Sequence, residues 1–106
     1  MAPLGFIEIL DGRGNVDERV TVDSLPIYLG RAYGNQVVIN DPYVSPIHAS
    51  IESDEQGRLV ARDLDSVNGL HSGVNKRRIA SLELHSGTQF RIGRTQLRYC
   101  SIDHPL

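Results

Sequence analysis

The chain has 106 residues, 40% hydrophobic and 23% charged, with a formal net charge of -2. That length is one domain able to bury a core without a metal or disulfide staple, and the composition excludes a disordered chain. Eleven basic against thirteen acidic residues give no surface suited to nucleic acid or an anionic membrane, and no apolar run is long enough to span a bilayer.

Short apolar runs recur about every eight to twelve residues, the pattern of a strand-rich chain. In chain order they predict strands at Gly5–Leu10, Arg19–Val22, Pro26–Leu29, Gln36–Ile39 and Ala49–Ser53. They continue at Leu59–Asp63, Leu70–Ser72, Arg78–Ala80, Gln89–Ile92 and Gln96–Ser101. Between them lie turn pairs: Asp11-Gly12, Gly14-Asn15, Gln56-Gly57, Asn68-Gly69, Ser86-Gly87 and Gly93-Arg94. Ala49 and Ile51 alternate with Ser50 and Glu52, and Phe90 and Ile92 with Gln89 and Arg91, which is the period of a strand with one buried face. Ile79–Leu84 is the nearest approach to a helical stripe and is too short for one. The pattern predicts an all-β, antiparallel sandwich of about ten to eleven short strands with binding loops at one end. We expect a single domain over residues 1–106, with its core at 4–102, as a module of a larger protein, and a frayed end or linker at Asp103–Leu106. Met1–Leu10 lacks the basic start and cleavage site of a signal peptide. The single cysteine, Cys100, excludes an internal disulfide and fits a reducing, cytoplasmic setting; it reads as a small buried hydrophobe.

Chemistry concentrates where strands give way to loops. Gly30-Arg31 ends one apolar run. Arginine there is either a solvated side chain or a clamp for a phosphate or carboxylate. Ser45 and His48 follow, three residues apart. They read as a loop hydroxyl able to donate to an anion and a structural histidine tying loops together, or as a nucleophilic pair. The pair lacks a glycine-flanked elbow and an oxyanion-hole sequence. Asp63-Leu64-Asp65-Ser66-Val67-Asn68-Gly69 is a tight turn whose side chains bond backbone groups, and Asn68 can also hold an extended peptide. His48, His71, His85 and His104 show no metal-ligand spacing, and no cofactor fingerprint is present.

Taken in order, these elements resemble the forkhead-associated (FHA) domain. The resemblance runs from Tyr28 to Tyr99: Leu29-Gly30-Arg31, Val38-Ile39-Asn40-Asp41, Val44-Ser45, His48-Ala49-Ser50-Ile51, Asp63-Leu64-Asp65-Ser66, Asn68-Gly69, Leu84, Gly87, Phe90-Arg91-Ile92-Gly93 and Leu97. It implies a SMAD/FHA-like sandwich and a non-enzymatic signalling module that binds threonine-phosphorylated protein or peptide. It implies that Arg31 and Ser45 contact phosphate and Asn68 holds peptide backbone. Gly30, His48, Asp63, Ser66 and Gly69 would be structural. Four positions depart from the family pattern. Pro46 stands where a basic or polar residue is usual, Val67 where a polar one is common, Leu70 in place of threonine, and Lys76 in place of a glycine in a loop about two residues longer. A hydrogen bond to a charged group contributes roughly 1.5–3 kcal/mol. Pro46 and Val67 could remove two of them, while Lys76, Arg77 or Arg78 could compensate. The alternative is therefore a phosphate-independent interaction scaffold on the same fold, with Tyr33 and Tyr43 as aromatic anchors.

Overall fold

In the computed structural model, residues 4–103 are described. Residues 1–3 and 104–106, with His104 and most of the expected frayed end, lie outside them. Eleven strands follow in chain order: β1 (Gly5–Leu10), β2 (Val16–Val22), β3 (Ile27–Gly30), β4 (Val37–Val38), β5 (Ala49–Ser53), β6 (Leu59–Asp63), β7 (Leu70–Ser72), β8 (Arg78–Ile79), β9 (Ser81–Glu83), β10 (Gln89–Ile92) and β11 (Thr95–Ser101). They form a six-stranded sheet of order β2-β1-β11-β10-β7-β8 and a five-stranded sheet of order β4-β3-β5-β6-β9. Strand pairs are antiparallel, except that β3 and β4 run parallel.

Alternation places Ile7, Leu70, Phe90, Ile92 and Leu97 of one sheet against Ile27, Leu29, Val37, Ile51 and Ala61 of the other, all buried. Phe90 and Ile92 point inward as their spacing requires. Ser50 is buried as well, because its hydroxyl turns to the Glu52 carboxylate on the outer face. Two expectations need correction. β2 begins at Val16, three residues before the expected start; it is a mostly exposed edge strand whose polar residues carry no burial pattern. β9 was not foreseen. β8 pairs with β7 in one sheet and β9 with β6 in the other. The chain therefore changes sheets at Ala80, whose carbonyl accepts from Asp63 N–H at 2.9 Å. A two-residue strand, a corner and a three-residue strand leave no readable period.

The outer face of the six-stranded sheet carries one closed ionic cluster. Glu8, 2% exposed, accepts from Arg19 Nη2 at 2.7 Å and Arg98 Nη2 at 2.8 Å. The Cys100 thiol, buried in β11, donates to the same carboxylate at 3.2 Å. Burial pulls the Glu8 pKa up, but the bonds from Arg19, Arg98 and Cys100 and the Arg98 charge outweigh it and hold it at about 2.

Candidate functional site

Three loops meet at one end of the sandwich: β3–β4, β4–β5 and β6–β7. The first two are fused by backbone bonds. Arg31 N–H donates to Ser45 O and Ala32 N–H to Pro46 O, each at 3.1 Å. Asn35 Nδ2 reinforces them, donating to Ala32 O and Pro46 O at 2.7 Å. The approach is so close that a Cβ at Gly30 would collide with the Pro46 carbonyl oxygen, which is why glycine ends β3. Arg31 is then fixed by its stem, with Nε donating to Val44 O at 3.1 Å. Its two terminal nitrogens have no partner among the described residues, and the side chain is exposed.

His48 ties the second loop to the third. It is 0% exposed. Ser45 N–H donates to its Nδ1 at 3.0 Å, so Nε2 carries the hydrogen and donates to Gly69 O at 2.8 Å. The nucleophilic reading does not fit, because the ring bonds Ser45 through the backbone and not through Oγ. Ser45 Oγ instead accepts from Val67 N–H at 3.2 Å. An oxygen that accepts there keeps its own hydrogen free to donate outward.

The third loop is braced from inside. The Ser66 hydroxyl donates to Asp63 Oδ1 and accepts from Gly69 N–H. Gly69 lies at φ +82°, and a Cβ there would collide with the Arg78 guanidinium. Arg78 Nη2 donates to Ser66 O at 3.1 Å. Asn68 Nδ2 reaches across to Tyr43 O at 2.7 Å, while its Oδ1 faces no donor among the described residues.

Asp41 organises the remaining edge. It accepts from Tyr43 N–H, Arg94 N–H and the Thr95 hydroxyl, each at 2.8 Å. Burial raises its pKa, but those three bonds and the Arg94 charge prevail and hold it below the ordinary value. The Arg94 guanidinium stacks 4.0 Å from the centroid of the Tyr43 ring. Asn35 and Arg94 were not singled out from the sequence, since neither stands in a spaced motif. Arg31, Ser45, Gly30, His48, Asp63, Ser66, Asn68 and Gly69 are brought into one bonded assembly. Among the described residues, no hydrogen bond joins Lys76 or Arg77 to Arg31, Ser45 or Asn68. Lys76 instead lines a hollow with Ser72, Gly73, Arg91 and Gln96. The Pro46 carbonyl locks the loops, and Val67 leaves its side chain 81% exposed beside Asn68. Among the described residues no group of His, Cys, Asp and Glu is placed to hold a metal, and no helix is long and apolar enough to cross a membrane.

A family model described as FHA domain matches residues 27–93. A chain solved in a structural and functional analysis of phosphothreonine-dependent FHA domain interactions is similar at 25% identity and TM-score 0.78, covering 97% of this chain and 99% of its own. Mycobacterium tuberculosis EmbR, solved in complex with a low affinity phosphopeptide, is similar at 25% identity and TM-score 0.73 over 92% of this chain and 24% of its own. An FHA domain from Chlamydia trachomatis shares the fold at TM-score 0.77 and 21% identity, covering 92% of this chain and 97% of its own. No curated protein matches the chain.

Proposed function

The chain belongs to the FHA-domain family, and from that membership we propose that it reads phosphothreonine in an extended peptide through Arg31, Ser45 and Asn68. The observation that carries the reading is the pinned Arg31: its Nε is bonded within the fold while its terminal nitrogens have no partner among the described residues and the side chain is exposed. A phosphate with about -1.5 to -2 charges and three acceptor oxygens suits a guanidinium fork beside a hydroxyl that still has a hydrogen to give. Asn68 contributes Oδ1 as acceptor for a peptide N–H, its amide nitrogen being already bonded to Tyr43 O. Pro46 withholds an N–H from the ligand, so Arg31 bears a larger share of phosphate recognition. The domain catalyses nothing in this reading; it joins a threonine-phosphorylated partner to the protein that carries it, in an intracellular setting.

A second reading rests on a different surface. Tyr28, Ala32, Gly34, Asn35 and Ile47 line a hollow of about 420 Å³ beside the same loops. Tyr33 is 93% and Ile47 57% exposed nearby. Such a surface suits a partner that needs no phosphate. Titration with a degenerate phosphothreonine peptide library and its unphosphorylated twin separates the two. Phosphate-dependent binding that falls at least a hundredfold in Arg31→Ala supports the first. Equal affinity for both libraries, weakened by Ile47→Asp and unmoved by Arg31→Ala, supports the second.

A further inference from the structure

From Arg78, beside the third loop, to Arg91, the outer face of the six-stranded sheet carries cations with no carboxylate partner among the described residues. β10 and β7 place Arg91 opposite His71, and β7 and β8 place His71 opposite Arg78. The three side chains therefore form one row across three strands. The β7–β8 loop adds Lys76 to the same side, in a hollow of about 400 Å³ with Ser72, Gly73, Arg91 and Gln96. Between Ser66 and Ile102 the sequence holds six basic residues and one acidic one, Glu83. Glu83 lies on β9 of the other sheet and bonds Arg58 and His85. Glu8, on this outer face, is closed off by Arg19 and Arg98. Among the described residues no carboxylate pairs with Lys76, Arg78 or Arg91. Burial first, then the Arg91 and Arg78 charges, push the His71 pKa down against the weaker pull of Asp63, and its Nδ1 is buried with no partner among the described residues.

We propose that the hollow between Lys76 and Arg91 is a second oxyanion site, separate from the loop site, that takes a single carboxylate or phosphate group. The donors are arranged for it. Arg91 Nη1 donates to Gly93 O at 3.1 Å, which holds the guanidinium in place and leaves its other N–H groups available. Ser72 Oγ accepts from Val74 N–H at 3.2 Å, which orders the turn that carries Lys76. Lys76 is held in the left-handed region at φ +59° by its N–H bond to Ser72 O. Glycine would occupy that backbone at lower cost. Placing lysine there brings an ammonium to the rim of the hollow. The residues lining it include none of Arg31, Ser45 or Asn68.

The test is heteronuclear NMR on the labelled chain at fixed ionic strength, with sodium phosphate in one arm and an aspartate-rich hexapeptide in the other. We expect saturable shifts of the Gly73 and Lys76 amides and of Arg91 Nε–H in at least one arm. Saturation by phosphate alone assigns a phosphate ligand, by the hexapeptide alone a carboxylate, and by both an unselective oxyanion site. Lys76→Gly and Arg91→Gln each weaken that binding at least tenfold, while Arg31→Ala leaves it unchanged. An amide spectrum unaltered elsewhere shows that the variants fold. Shifts that fail to saturate in both arms, that survive both substitutions, or that vanish in Arg31→Ala overturn the proposal. Failure of phosphothreonine recognition at the loops would leave these outcomes untouched.

Discussion

At the scale of single residues, the site depends on groups whose hydrogen bonds are divided between fold and solvent. Arg31 gives Nε to Val44 O and keeps its terminal fork. Lysine in its place offers one compact ammonium and cannot do both. Arg31→Lys is expected to weaken phosphopeptide binding at least tenfold, by calorimetry, with a stability change under about 1 kcal/mol. His48 is the opposite case, with every polar atom bonded inward. His48→Ala strands Ser45 N–H and Gly69 C=O in a new cavity and is expected to cost about 3 kcal/mol or more in urea denaturation. Both positions stood out in the sequence only as members of an ordered set of short motifs, since Gly30-Arg31 alone reads equally as a solvated side chain. Asp41 was visible only as part of a run. Its partners Arg94 and Thr95 are more than fifty positions away in the chain, and no local pattern encodes such pairing.

At the scale of elements, the loops hold their shape because two glycines admit what a side chain would block. Gly69→Ala must bear an unfavourable φ of +82° and a collision with the Arg78 guanidinium. It is expected to cost about 2 kcal/mol, read by thermal unfolding. Lys76→Gly has the reverse sign. Relief of the left-handed backbone outweighs the added chain entropy, and a gain of about 0.5 kcal/mol is expected. Strand existence was readable wherever apolar residues alternate, as at Ala49–Ser53 and Gln89–Ile92. It failed at Ser81–Glu83, where Leu82 stands alone between polar neighbours and the strand is defined by pairing with β6. The parallel seating of β4 on β3 was equally hidden, because Val37-Val38 is too short to state a direction.

At the scale of the whole molecule, Glu8 couples stability to pH. Its pKa is about 2 in the fold against 4.5 for the free group. A lowered folded value stabilises fully above the unfolded pKa and is lost as pH falls through the folded one. Stability is therefore expected to decline from about pH 4.5 toward pH 2, with roughly 3 kcal/mol attached to this carboxylate. Urea melts at pH 7, 4.5 and 3 measure the decline, and Glu8→Gln should flatten it. The sandwich itself was legible from the spacing of short strands and turns. The ionic cluster on its outer face was not, since Glu8, Arg19 and Arg98 come from three separate strands. One consequence follows from the imidazole that fastens the loops together. On the proposed reading, the loop surface is assembled before a peptide arrives, so association need not wait on rearrangement, and capture is set by diffusion and charge. Differences among ligands will then appear in residence time, with arrival rates spread over a far narrower range.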